Sequence, residues 1–116
     1  MFRAHPEADG FFANGDTQAF RALNACHRLD IRVPDRLQIV GFDGTDDAVD
    51  CGISTVRQSA FDMGKTAVEL LIRLIGGEEV PESTIFPVRW IQGTTTRPTP
   101  AEEARWQAQA HTASGC

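Results

Sequence analysis

Lysine is almost absent from this sequence: Lys65 stands alone, against 16 acidic side chains, and the formal net charge is -5. Attraction to nucleic-acid phosphates needs clustered Lys and Arg, so any DNA contact has to come from outside this segment. Long apolar runs are missing too. None approaches the roughly 20 residues of a membrane-spanning helix, and Met1-Phe2-Arg3-Ala4-His5-Pro6 lacks the apolar stretch of a signal peptide. A cytoplasmic location without membrane contact is therefore expected. Cysteine is scarce, and Cys26, Cys51 and Cys116 are odd in number without metal-like spacing, which suits reduced thiols rather than a disulfide framework. His5, His27 and His111 have no carboxylate or thiol at metal-ligand spacing, and the acidic stretch Asp46, Asp47, Asp50 lacks the spaced ligands and closing Glu of a calcium loop. Cys26 and His27 are neighbours in sequence, so on a helix their side chains diverge by about 100° and cannot form a nucleophile-base pair. No metal, cofactor or enzymatic activity is expected. Repeats and low-complexity tracts are also absent.

The chain that remains is one domain's worth at 116 residues, and its 41% hydrophobic content excludes wholesale disorder. Gly10-Phe11-Phe12-Ala13 reads as a short buried strand, broken by Asn14-Gly15-Asp16. From Thr17 to Leu29 the spacing of Ala19, Ala22, Leu23 and Cys26 predicts a helix, with Asp16 placed as its N-cap and Pro34 enforcing its end. Leu37-Gln38-Ile39-Val40-Gly41-Phe42-Asp43 reads as a buried strand of a parallel sheet that stops on a carboxylate. An acidic loop from Gly44 to Gly52 follows, then a second extended run, Ile53 to Gln58. Ser59 opens the longest periodic segment, in which Ala60, Met63, Gly64, Ala67, Leu70, Leu71, Leu74 and Ile75 share one face and Gly76-Gly77 form the stop. Thr84 to Ile91 is a strand candidate that Pro87 confines to an edge or a lobe crossing. Beyond Thr99, a capping box of Thr99 and Glu102 with Pro100 suits a short helix in an otherwise flexible tail, 99–116.

Strand, helix, strand, extended run, helix, strand is an alternating order that implies an α/β fold with a mostly parallel sheet flanked by helices. At that point the residues become more specific. Phe11-Phe12-Ala13-Asn14-Gly15-Asp16 with Ala19-Phe20-Arg21-Ala22-Leu23, then Ile31-Arg32-Val33-Pro34, Ile39-Val40-Gly41-Phe42-Asp43, Ser54-Thr55-Val56-Arg57-Gln58 and Met63-Gly64, resemble successive motifs of the LacI/GalR family, in its order and spacing. The resemblance implies a partial periplasmic-binding-protein-like type I fold over residues 1–98, an incomplete two-lobe sensor domain. It also implies that helix 59–76 crosses to a first lobe without counterpart in this chain. The parent function would be effector-controlled transcription, with a sugar or nucleoside-like effector between the lobes, a homodimer through the carboxyl-terminal lobe, and DNA bound only by a domain not in this chain. The alternative is a standalone small-molecule-binding or dimerisation module, or a remnant without DNA-binding activity. Phe20, Leu29 and the loop at Cys51-Gly52 are the candidates for the dimer contact.

Ligands of open α/β sheets bind beyond the carboxyl ends of strands, which makes Asp43 the first candidate effector contact, against the alternative of a turn former for Gly44 and Thr45. Asp16 is the second, although N-capping accounts for it. Asn14 is the third. The resemblance places Gly15 where many members carry an effector-binding asparagine, and Asn14 is positioned to compensate from one residue earlier. Ala60 contributes little, Phe61 is read as a packing residue, and Arg57 and Gln58 are assigned structural roles at the lobe crossing. With few elements to cover it, the face of Ala67, Leu70, Leu71 and Leu74 is expected to stay open, and each buried Leu forgone is worth roughly 1.5 to 3 kcal/mol. Marginal stability is therefore expected of the isolated chain, measured against a usual domain stability of about 5 to 15 kcal/mol.

Overall fold

The computed structural model describes residues 4–105. Its elements run β1 (Gly10–Phe12), α1 (Asp16–Arg28), β2 (Gln38–Asp43), α2 (Asp46–Asp50), β3 (Ser54–Arg57), α3 (Ala60–Ile75) and β4 (Arg89–Ile91). The four strands form one sheet in the order β1-β2-β3-β4. β1, β2 and β3 are parallel, with Phe11 opposite Ile39 and Asp43 opposite Arg57, and β4 lies antiparallel at the edge beside β3. The α/β architecture with a mostly parallel sheet is thus as the alternating pattern implies. The strand at Thr84–Ile91 is shorter than expected and begins only after Pro87, which has no N–H to give a ladder.

β2 alternates as a half-buried strand does. Ile39 and Gly41 face inward while Val40 and Phe42 are partly exposed. Ala19 and Cys26 of α1 close on the inward face together with Leu37, Ile53, Ala13 and Ala48, forming a small core with Ala22 and Leu23 packed against it. Among the described residues no helix covers the opposite face. Phe12 is 61% exposed and makes an edge contact with Phe42 at 6.3 Å. The uninterrupted apolar reading of β2 suggested burial on both faces, and only one is covered.

Local signals explain most of the boundaries. α1 stops because Asp30 takes a left-handed φ of 55° and the Ile31 N–H reaches back to the Cys26 carbonyl at 2.9 Å, a turn that closes the helix ahead of Pro34. α2 sits inside the stretch read as an acidic loop. Thr45 caps it, its hydroxyl accepting from the Ala48 N–H at 3.3 Å, and Asp46 and Asp47 meet the positive end of the helix dipole. Residues 93–97, which follow β4, wedge between the starts of β2 and β3. The Ile39 N–H donates to the Thr95 carbonyl at 2.9 Å, the Thr95 hydroxyl donates to the Ile39 carbonyl at 2.7 Å, and the Ser54 N–H donates to that hydroxyl at 2.9 Å. The capping box at Thr99 forms, with the Thr99 N–H 2.7 Å from Glu102 Oε2, and residues 100–105 are helical. The remainder of the 99–116 tail, 106–116, lies outside the described residues.

α3 follows the predicted periodicity and ends at Gly76, but none of its 16 residues is buried. Leu71, Ile72, Leu74 and Ile75 are all more than half exposed. So much contiguous apolar surface is more than a folded monomer ordinarily leaves in water.

Candidate functional site

The carboxyl ends of β1, β2 and β3 meet at one edge of the sheet. Asp43, the last residue of β2, has a backbone φ of 109°, in a region that side chains rarely adopt. Such outliers persist where the surroundings hold them and gather at ligand sites. Here the holding group is Gln58, one residue beyond β3. Its N–H donates to the Asp43 carbonyl at 3.3 Å and its side-chain Nε2 donates to Asp43 Oδ1 at 2.6 Å. The β2–β3 register explains the meeting, because Asp43 pairs with Arg57 and Gln58 comes next.

Arg57 turns the other way. Its Nε donates to the Gly44 carbonyl at 2.7 Å and its Nη2 to Asp46 Oδ1 at 2.8 Å, so its charge is spent on α2 and the loop before it. Gly44 itself has φ 71° and lies flat against Arg57, where a Cβ would collide with the arginine's own Cβ. Around these groups opens a shallow crevice of about 480 Å³ lined by Asp43, Thr45, Gln58, Ser59, Ala60 and Phe61, among others. Phe61 is 83% exposed and packs into no core, contrary to its reading as a packing residue.

Asp16 does not cap α1. Gly15 occupies the N-cap position without a side chain to offer, and Asp16 is the first helical residue, 5% exposed. Its carboxylate is fully engaged inside the sheet. Oδ2 accepts from the Thr45 N–H at 2.7 Å and the Thr45 hydroxyl at 3.0 Å, and Oδ1 accepts from the buried Thr55 hydroxyl at 2.6 Å. Gly41 makes the space, since a Cβ there would run into Asp16 Oδ1. Asp16 is therefore the brace that ties α1 to β3 and to the loop after β2. Asn14 is exposed in the turn after β1 and does not line the crevice. Of the three candidates, the structure sets Asp43 in the crevice, Asp16 behind it and Asn14 outside it.

Two features lay beyond the reach of sequence reasoning. Gln58 reads from sequence only as a structural residue, and its side-chain bond to Asp43 shows up only once β2 and β3 are paired. The Thr55 hydroxyl as a donor to Asp16 has no local signal at all. A second hollow of about 490 Å³ lies between α1 and α2, lined by Thr17, Phe20, Ala48, Asp50, Cys51 and Ile53 among others. Cys26, on the buried face of α1, has its thiol pKa pushed up by burial. Among the described residues no group of three or more His, Cys, Asp or Glu is placed to hold a metal ion.

Residues 1–96 match the model of the periplasmic binding protein-like domain. The ribose operon repressor of Bacillus subtilis (strain 168) is 37% identical over 103 residues, covering 84% of this chain and 31% of the repressor. A periplasmic binding protein/LacI transcriptional regulator from Alkaliphilus metalliredigens QYMF, solved in complex with D-xylulofuranose, superposes with a TM-score of 0.68 at 31% identity, covering 78% of this chain and 35% of that one. The lac repressor dimer bound to operator and the anti-inducer ONPF gives a TM-score of 0.69 at 27% identity, covering 76% and 32%. This chain thus spans about a third of the length of the proteins it matches.

Proposed function

Because the chain belongs to the periplasmic binding protein-like domain family, in the form carried by LacI-type transcription regulators, we propose that it forms the effector-holding wall of a sugar sensor. One observation carries the reading: Asp43 stands at the carboxyl end of an inner parallel strand, with a left-handed backbone, one carboxylate oxygen held by Gln58, and its side chain on an open crevice. A carboxylate so placed accepts hydrogen bonds from sugar hydroxyls. Asn14, exposed in the next turn, supplies a further contact when the opposite wall closes, and Asp16 supports the wall from behind.

On this reading α3 belongs against a first lobe, which accounts for its open apolar face. The hollow between α1 and α2, with Phe20 and Cys51 at its rim, is the surface for a second copy. Its support is that the lac repressor, to which this chain is similar, was solved as a dimer on operator. Effector between the lobes then favours one closure state, and the dimer passes that geometry to DNA-binding parts outside this segment. Such work places the protein in the cytoplasm, and no helix among the described residues is long and apolar enough to cross a membrane.

A thermal-shift screen of the chain against pentoses, hexoses and nucleosides tests the reading. A rise in melting temperature with a sugar, abolished in Asp43→Asn, is expected. No rise with any compound, or an equal rise in Asp43→Asn, overturns it. Sedimentation showing monomer alone at high concentration overturns the dimer surface.

A further inference from the structure

An exposed aspartate usually samples several rotamers, and a ligand that needs one of them must order it first. Asp43 is exposed, yet two bonds from one residue hold it: the Gln58 N–H on its carbonyl and the Gln58 Nε2 on its Oδ1. We propose that Gln58 is a positioning residue, which fixes the Asp43 carboxylate before ligand arrives and leaves Oδ2 as the acceptor offered to a neutral, hydroxyl-bearing ligand. This proposal rests on the reading of Asp43 as an effector contact.

The geometry supports it from both sides of the carboxylate. Oδ1 has its donor from Gln58, so it is the satisfied oxygen. Oδ2 faces the turn after β1, where the position of a Cβ on Gly15 would be 3.4 Å from it. The Gln18 side chain reaches the same turn, its Oε1 2.9 Å from that point, so a hydroxyl approaches Oδ2 from the open crevice that Asp43 lines. Arg57, opposite Asp43 across the β2–β3 ladder, is bonded to the Gly44 carbonyl and Asp46 and gives Asp43 no bond. Oδ2 therefore stays free for the ligand's own donors, while Arg57 on the same crevice is already paired with Gly44 and Asp46. The Gln58 amide also retains its second N–H and its carbonyl oxygen for the same ligand.

The test separates positioning from bulk. In the full 116-residue chain, the Hα–Hβ coupling constants of Asp43 are measured by NMR in the wild type, Gln58→Glu and Gln58→Met. Both variants keep the side chain's length, and at neutral pH both lack its donor. One dominant Asp43 rotamer is expected in the wild type and averaged couplings in both variants, with the melting temperature unchanged because the bond is exposed. Titration with D-ribose or D-xylose, followed at the amides of residues 43 to 45, is expected to weaken roughly threefold in both variants, the effect of leaving the carboxylate to sample about three staggered rotamers of which one is competent. A single Asp43 rotamer persisting in the variants, or averaged couplings in the wild type, overturns the proposal. If neither sugar moves the wild-type amides, the effector reading of Asp43 fails, and the couplings still decide whether Gln58 positions it.

Discussion

Replacing Asp16 with alanine should cost this chain about 3 kcal/mol, and the figure follows from what the carboxylate touches. Three donors converge on it, and one of them, the Thr55 hydroxyl, is completely buried. A buried donor left without an acceptor costs about 1 to 3 kcal/mol, and bonds to a charged acceptor stand at the upper end of that range. Thr45 is more exposed, so water can replace part of what its N–H and hydroxyl lose. Loss of a negative charge in the first turn of α1 adds about 0.3 to 1 kcal/mol from the helix dipole. Asp16→Asn removes the charge but retains one acceptor, and the Thr55 hydroxyl can rotate to accept from the new amide, so about 1 kcal/mol is expected there. With a urea slope of about 1.5 kcal/mol per molar for a chain this size, the alanine variant should unfold about 2 M earlier and the asparagine variant less than 1 M earlier. Circular dichroism during urea titration reads both. An alanine variant within 1 kcal/mol of wild type, or equal losses in the two variants, would refute the view of Asp16 as a buried brace. Asp43→Ala, at an exposed site, should leave the same curve almost unmoved.

Gly41→Ala pushes a methyl into Asp16 Oδ1 and should lower stability by about 1 to 3 kcal/mol, as overpacking does; an unchanged melt would mean that β2 and α1 part freely. Leu71→Lys on α3 should change stability by no more than about 0.5 kcal/mol, because the side chain is 54% exposed, whereas a loss of about 2 kcal/mol or more in the isolated chain would show that the face is covered. In a Cys116→Ser background, a thiol reagent at neutral pH should modify the exposed Cys51 and spare Cys26, whose thiol is buried and raised in pKa, and equal labelling would contradict the packing of α1. Glu102 has its carboxyl pKa lowered, first by the Thr99 N–H and then by the Thr99 hydroxyl. Its contribution to the turn at 99–102 is present above the ordinary carboxylate range and is lost as pH falls through the lowered value, which a carboxyl-detected NMR titration of Glu102 would show as a midpoint below that of the free side chain.

Local patterning made most of the elements legible. The 3.6-residue spacing of Ala19, Ala22, Leu23 and Cys26 marks α1, and that of Ala67, Leu70, Leu71 and Leu74 marks α3, because a helix repeats its face at that interval. The abrupt stop of an apolar strand on Asp43 located the candidate site, since strand ends are where an α/β sheet opens. α2 is not legible in the sequence because five residues are too few to show a period, and acidic side chains read as loop whether or not Thr45 caps them. Asp16 next to a helix start looks like a cap on sequence alone, and nothing nearby in sequence announces that Thr55, 39 residues on, will donate to it.

Sequence alone thus determined the order and type of the main elements and the carboxylate at the strand end, which depend on spacing within a few residues, and the family resemblance, which depends on the order of such motifs along the chain. Only the tertiary structure decided the roles of the polar side chains. Pairing β2 with β3 brings Gln58 to Asp43, folding α1 over Gly41 buries Asp16 against Thr55, and wedging residues 93–97 between two strands buries Thr95. The physical reason is range. A side chain's burial periodicity is set by its own helix or strand, whereas its hydrogen-bond partner is set by whichever distant segment the sheet register places beside it.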